Sequence, residues 1–243
     1  MSRFYVPKGS IEGDRITIGG KEAHHILDVM RLNVSDKVTV FDGTGTEYAG
    51  VVTEAGRKTL SLKIVSRRTA NTAGKNPITL IQAIPKKDKM DHIVEKATEL
   101  GVAGIMPVVT LRTVPDWTAQ KKISAVERWK KIALEAAKQC GRADIPQISA
   151  VSDIRDALSG MDGYAVKLIA ALAEGSVRLK EALKEKPAGK VAIAIGPEGD
   201  FTPDEVSAAA DKGFKVVGLG RRVLKSDTAA LAALAIIDHE YQD

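Results

Sequence analysis

The sequence predicts an α/β protein with a small β-rich domain over residues 1–72 and an alternating strand–helix domain over residues 73–243. Three observations carry that prediction. Short strand-like runs separated by turn residues fill the first part. From Pro77 onward apolar runs and helical patterns alternate, which implies a mostly parallel sheet with helices on both faces. Near the C-terminus, two apolar runs each empty into a glycine-rich turn followed by a helix.

In the first domain, Arg3–Val6, Arg15–Ile18, Lys37–Phe41, Glu47–Val52 and Thr59–Val65 are strand-like, and Asp42-Gly43-Thr44-Gly45 is a hairpin signal. One helix is expected over Lys21–Arg31. Residues 67–76 have linker composition, which sets the boundary.

In the second domain, Ile78–Ile84 reads as a strand, Asp88–Leu100 as a helix closed by Gly101, and Ile105–Val109 as a strand. A long helix follows from about Thr118 to Gln139, closed by Gly141. Ala165–Leu172 is a strand and Val177–Lys184 a short helix. The first glycine unit is Val191–Phe201, whose five apolar residues 191–195 suit a strand buried on both faces. Thr202, Pro203 and Glu205 then carry a helix start, with the cap, the N1 proline and the capping-box glutamate in place. The second unit is a strand over Phe214–Leu219, a turn containing Gly218 and Gly220, and a helix resuming near Asp227. Two such turns surround one pocket with backbone groups at the carboxyl ends of parallel strands, where α/β folds bind ligands.

Composition narrows the function. The 243 residues are 44% hydrophobic and 28% charged, with net charge +5. A single cysteine, Cys140, excludes an intramolecular disulfide and a cysteine-cluster metal site and fits a reducing compartment. No apolar leader is seen and the longest apolar run, Ala229–Ile237, is too short to span a bilayer, so the expectation is a cytoplasmic protein with no membrane partner. The four histidines lack metal-ligand spacing, and no metal is expected.

Basic residues are spread over both domains, with 11 basic and 8 acidic residues in 1–72. Between Gln120 and Arg142 seven basic residues face two acidic ones. Arg128, Lys131, Glu135, Lys138 and Arg142 share one helical face opposite Trp129, Ile132, Ala133, Ala136 and Ala137. That face suits either a solvated, ion-paired ridge or a phosphate-binding one. Gly218-Leu-Gly220 lacks the third glycine of a dinucleotide fingerprint, and no phosphate-loop motif is present. Ser226-Asp227-Thr228 reads as the cap of the last helix. Glu198, between two glycines, is expected to touch a ligand or to pair with an arginine such as Arg222.

Ile195-Gly-Pro-Glu-Gly-Asp-Phe-Thr, followed about twenty residues later by Leu219-Gly-Arg-Arg-Val-Leu-Lys-Ser-Asp-Thr-Ala, resembles the C-terminal signature of the SPOUT class of knotted methyltransferases, and most closely the RsmE family. Arg3-Phe-Tyr-Val6, His24-His25 through Met30-Arg31, Lys86 through Asp91, Glu95–Gly101, Arg128-Trp and Glu135–Arg142 match the same family in order. Asp200 stands where a second glycine is usual, at a point where a tight turn favours a positive φ that Asp tolerates less well than Gly. Lys225 replaces Arg, and Asp227 replaces Glu.

The resemblance implies a PUA-like β-barrel followed by a SPOUT domain with a deep C-terminal trefoil knot. It implies S-adenosylmethionine as cofactor and methylation of N3 of a uridine in 16S ribosomal RNA of the small ribosomal subunit, by a homodimer. Leu172, Gly196, Glu198, Gly199, Leu219, Gly220, Leu224 and Thr228 are then the expected cofactor residues. Arg222, Glu198 and Thr228 are expected nearest the transferred methyl. Arg3, His25, Arg31, Arg112, Arg128 and Arg142 are the expected RNA contacts. Two competing readings are a ribose 2′-O-methyltransferase of the same superfamily and a non-catalytic RNA-binding ribosome-assembly factor.

Overall fold

The computed structural model describes residues 3–69, 74, 76–114, 117–185 and 187–241. The chain divides into two compact units, one of residues 1–72 with 137–145 and the other of residues 73–136 with 146–243.

The first unit is built on alternation. In β3 (Arg15–Gly19) Ile16 and Ile18 are buried between exposed neighbours, and in β4 (Lys37–Phe41) Val38 and Val40 are buried on either side of a half-buried Thr39. With β1 (Arg3–Tyr5), β2 (Ile11–Glu12), β5 (Thr46–Ala55) and β6 (Thr59–Thr69) they form one sheet in the order β1-β4-β5-β6-β3-β2. The expected barrel is not closed: among the described residues β1 and β2 are the two edges and do not pair with each other. Two register shifts between β5 and β6 bend the sheet. Edge strands of three and two residues offer too few backbone groups to complete the ring.

The expected Lys21–Arg31 helix is α1 (Gly20–His24) running into a π-helical turn, His25–Val29, and Arg31 leaves it at φ 55°. Residues 137–145 join this unit at the hairpin loop. The Gly45 N–H donates to the Ala143 carbonyl at 3.0 Å, and the Ile145 N–H to the Gly43 carbonyl at 3.1 Å.

The second unit is a parallel sheet in the order β10-β8-β7-β13-β11-β14-β12, with β9 also on β8. Its strands are β7 (Ile78–Ala83), β8 (Gly104–Val109), β9 (Gln147–Ile148), β10 (Ser152–Asp153), β11 (Val166–Ala170), β12 (Val177–Arg178), β13 (Val191–Ile195) and β14 (Lys215–Gly218). Every residue of β7 and β13 is buried, as expected of central strands covered on both faces. Each large aliphatic side chain so buried contributes about 1.5–3 kcal/mol.

The helices are α2 (Lys89–Glu99), α3 (Ala119–Cys140), α4 (Ile154–Ser159), α5 (Leu179–Ala182), α6 (Pro203–Asp211) and α7 (Ser226–Tyr241). α6 begins at the predicted capping box: the Glu205 N–H donates to Thr202 Oγ1 at 3.2 Å and the Thr202 N–H to Glu205 Oε2 at 2.8 Å. α3 buries Trp129, Ala133 and Ala137, the face its periodicity selects. Val177–Arg178, expected as the first turn of a helix, is instead a strand against β14, and only Leu179–Ala182 is helical. No described helix is long and apolar enough to cross a membrane.

Candidate active site

Three neighbouring parallel strands, β13, β11 and β14, end on the same side of the sheet. The loops that leave them enclose a cavity of about 650 Å³, within the range of small-molecule sites. Its walls are residues 170–174 and 176 at the end of β11, residues 195–198 and 200 at the end of β13, and residues 217–220, 222–226 and 229 from the end of β14 into α7. Apolar side chains such as Ile195, Leu219 and Leu224 alternate with bare backbone. Gly220 sits at φ 132°, which a side chain would strain. At Gly196 a Cβ would come within 3.2 Å of Asp200 Oδ1 and of the Phe201 N–H nitrogen, so a side chain there would push the turn open by a few tenths of an ångström.

A buried polar chain fixes the cavity floor. Gln82, fully buried at the end of β7, donates from Nε2 to Ser226 Oγ at 3.0 Å, and Ser226 Oγ donates to the Gly196 carbonyl at 2.6 Å. The start of α7 is thereby tied to both β7 and the first glycine turn. The Ser226 side chain holds that turn rather than serving only as a cap. Changing Ser226 to Ala leaves Gln82 Nε2 with the Ala83 carbonyl alone and removes the buried donor to the Gly196 carbonyl, at a cost of about 1–3 kcal/mol. Denaturant unfolding should show that loss, and Ser226→Thr, which keeps the hydroxyl, should recover most of it.

Glu198 meets a different cation from the expected Arg222. Its Oε1 accepts from Lys89 Nζ at 2.8 Å, and both carboxylate oxygens accept from the Lys86 N–H at 3.2 Å. Burial works to raise the Glu198 pKa, but the Lys89 hydrogen bond, backbone N–H donors and the Lys89 charge outweigh it and hold it below the ordinary glutamate value. Lys89 is shifted upward, chiefly by its hydrogen bond to Glu198, against its own burial and with help from the charges of Glu198 and Asp227.

A carboxylate so stabilised in its ionised form is a poor proton acceptor, and its geometry makes it a tie between the α2 entry and the first glycine turn. Because its folded pKa is depressed, its contribution to stability is present above the ordinary glutamate range and fades as pH falls through the lower folded value. Glu198→Gln should cost about 1 kcal/mol, the upper end for a part-exposed ion pair, or about 2–4 °C in Tm at neutral pH. Melting curves of wild type and variant should converge in acid.

Asp200 occupies its position at φ 63°, and its carboxylate is used twice. Oδ1 accepts from the Phe201 N–H at 2.8 Å and Oδ2 from the Leu172 N–H at 2.9 Å, joining the loops after β13 and β11.

Of the residues expected to hold a cofactor, Leu172, Gly196, Glu198, Leu219, Gly220 and Leu224 line the cavity, and Arg222 lines it as well. Gly199 lies behind the wall, its carbonyl accepting from Arg112 Nη1 at 2.7 Å. Thr228 is exposed on α7 and is not among the lining residues.

The expected RNA contacts are divided between the two units, Arg3, His25, Arg31 and Arg142 in the first and Arg112 and Arg128 in the second. In the first unit Arg3 is largely buried, donating to the Gly141 carbonyl at 2.6 Å and pairing with Glu47, while His25 is exposed with its ring edge-on to Phe4. Arg31 is exposed. Arg142 is 6% exposed and its guanidinium pairs with Asp144 at 2.6 Å, so it is not offered to a partner. The helical spacing that put it on the basic face no longer applies, because α3 stops at Cys140 and Gly141 turns the chain at φ 83°. In the second unit Arg128 pairs with Asp91 at 2.9 Å with its side chain half exposed, and Arg112 braces the Gly199 and Phe201 carbonyls.

Sequence reasoning missed Lys89, Gln82 and Ser226 as members of this site. A polar Gln82 late in an apolar strand is the signal the sequence offers for that residue, while Lys89 and Ser226 lie within segments that carry the family resemblance. Among the described residues, no group of three or more His, Cys, Asp or Glu is placed to hold a metal ion.

Residues 72–238 match the family model of the RNA methyltransferase domain, and residues 18–65 match that of the RNA methyltransferase PUA domain. The ribosomal RNA small subunit methyltransferase E of Bacillus subtilis is 30% identical over 99% of this chain and 97% of its own length. Its Synechocystis counterpart is 32% identical over 97% of this chain and 77% of its own length. The crystal structure of the Neisseria gonorrhoeae enzyme of the same name, bound to S-adenosylmethionine, superposes with a TM-score of 0.88 at 31% identity, covering 99% of this chain and 98% of that one. With a family model over residues 72–238 and relatives at least 30% identical along nearly its whole length, this chain belongs to the ribosomal RNA small subunit methyltransferase E family.

Proposed function

We propose that this protein transfers the methyl group of S-adenosylmethionine to N3 of a uridine in 16S ribosomal RNA, acting in the cytoplasm as a homodimer on the small subunit or its RNA. The observation that carries this reading is the cavity at the ends of β13, β11 and β14, with Arg222 at its wall and no ion-pair partner for Arg222 among the described residues. Its volume, apolar side chains and bare glycine backbone fit an adenosine-sized cofactor, and Leu172, Gly196, Leu219, Gly220 and Leu224 would hold it. The Asp200 carboxylate on the same wall suits a neighbouring positive centre. Bound there, S-adenosylmethionine supplies an electrophilic methyl group.

The chain's own residues must do the rest. Uridine N3 is a weak nucleophile until its proton leaves to solvent water, and the negative charge then spreads over the ring. Arg222 is placed to stabilise that charge, and the cavity walls align the two reactants, an effect worth on the order of 7–11 kcal/mol. Because a paired uridine hides N3 on its Watson–Crick edge, the target enters unpaired or flipped out.

Chain path supports a trefoil knot. Ala170 of β11 and Val177 of β12 both pair with Val217, from opposite sides of β14. Residues 171–176 therefore pass from one flank of β14 to the other near its end, while the segment leaving β14 continues to α7, which packs on β7, β13, α2 and α5. Knots are rare, and a loop crossing the exit of a strand is the arrangement they need.

Incubation with labelled cofactor and either naked 16S RNA or small subunits lacking the modification tests the reading. Label should appear at N3 of one uridine. Label on a ribose 2′-oxygen would move the enzyme to the other chemistry, and no label on either substrate would end the proposal.

A further inference from the structure

A second hollow, of about 500 Å³, lies against the other side of the second glycine turn and shares Ser176 and Gly218 through Gly220 with the first. Three cations line it: Arg178 at the end of β12, Lys180 in α5 and Arg221 just after Gly220. All three are exposed, and among the described residues none has an ion-pair or hydrogen-bonding side-chain partner. No acidic residue lines the hollow, and its floor is apolar, with Leu179, Leu219 and Ile236.

Unpaired like charges gathered in a concave place repel one another, and nothing in the fold of this unit uses them. An anion with apolar parts is the ligand that such a surface recognises. We propose that this hollow is a phosphodiester subsite for the RNA strand, holding the backbone next to the target nucleotide while the base enters the cofactor cavity across the shared turn. This rests on the function proposed above.

RNA fits better than the alternatives in reach. One carboxylate of a small cofactor needs at most one or two of these cations, whereas successive phosphates of a strand can engage all three, with the apolar floor facing a sugar or base. None of the six arginines and histidines first expected to touch RNA lies here, so the strand would gain a contact point directly beside the reaction. Bare backbone at Gly218 and Gly220 lets a phosphate approach the turn closely.

The test compares wild type with Arg178→Ala/Lys180→Ala/Arg221→Ala, and with a charge-keeping control, Arg178→Lys/Arg221→Lys. Binding of an unmodified 16S RNA transcript is measured across a salt series, binding of S-adenosylmethionine by calorimetry, and mass by sedimentation. The triple variant should bind the transcript about tenfold or more weakly at low salt. Its log K against log salt slope should be shallower by about 2, from roughly 0.7 per single-strand phosphate contact. Cofactor affinity and mass should not change, and the control should keep the wild-type slope.

An unchanged slope would overturn the subsite. So would weaker cofactor binding at constant slope, which would assign the cations to the cofactor, or a changed mass, which would assign them to contacts between copies. Failure of the wild type to bind cofactor, or to methylate either the transcript or small subunits lacking the modification, would instead sink the proposed function, and the slope comparison would still read out the hollow.

Discussion

Changing Arg222 to Ala should lower the rate of methyl transfer by about 10²-fold, the usual loss when one preorganised donor to a developing anion is removed. Binding of S-adenosylmethionine should change little. Arg222 is exposed at the cavity wall, and among the described residues it has no carboxylate partner, so its charge is available to a substrate. Glu198, expected as its partner, is committed to Lys89 and the Lys86 N–H. A nearby cation favours the deprotonated form of the uridine imide. Loss of the guanidinium therefore raises the pH needed to form the nucleophile, and the rate profile of the variant should move to higher pH. Arg222→Lys keeps the charge but loses the planar fork, and should fall between the two. A variant with normal kcat and raised KM for RNA would make Arg222 a binding residue only, and the pH profile separates those outcomes.

The parts of this site that the sequence reveals are those encoded by short-range pattern. A five-residue apolar run identifies β13 because a strand covered on both faces has no polar side to show. Thr202, Pro203 and Glu205 identify the start of α6 because a capping box is a local hydrogen-bond exchange. Elements of two residues, such as β9, β10 and β12, carry no period at all and become visible only through the strands they pair with.

Partner choice is equally non-local. Glu198 and Lys89 are 109 positions apart, and the adjacency of β7 and β13 in the sheet is what brings the loops after them together. Arg222 is closer in sequence but faces the cavity. The fate of Arg142 shows the limit of helical spacing, since two residues beyond the end of α3 its side chain turns inward to Asp144. The hollow lined by Arg178, Lys180 and Arg221 is assembled from three separate elements, and no charge run in the sequence announces it.

Asp200→Ala should weaken S-adenosylmethionine binding by about 30-fold, equivalent to about 2 kcal/mol. Two opposed effects meet at this position. A positive φ strains any residue with a Cβ, by about 1–2 kcal/mol for most and less for Asp and Asn, whose short polar side chains bond locally. Against that strain stands the carboxylate, which takes the Phe201 N–H within its own turn and the Leu172 N–H across the cavity. Charge-assisted bonds of this type contribute roughly 1.5–3 kcal/mol each before solvent exposure discounts them. The second bond sets the distance between two walls, so its loss is felt as a looser cavity rather than only as lower stability.

Three substitutions separate the effects. Alanine keeps the strain and loses both bonds, glycine loses the bonds but removes the strain, and asparagine tolerates the φ while retaining one acceptor. Stability of the cofactor-free protein should therefore fall furthest in Ala and be recovered in Gly by about 1 kcal/mol. Cofactor affinity should fall alike in Ala and Gly and less in Asn. Equal affinity in all four proteins would mean that the Asp200–Leu172 bond does not shape the cavity. If affinity in Gly matched wild type while Ala fell, backbone geometry alone would govern the turn, and the carboxylate would serve only to make a strained conformation tolerable.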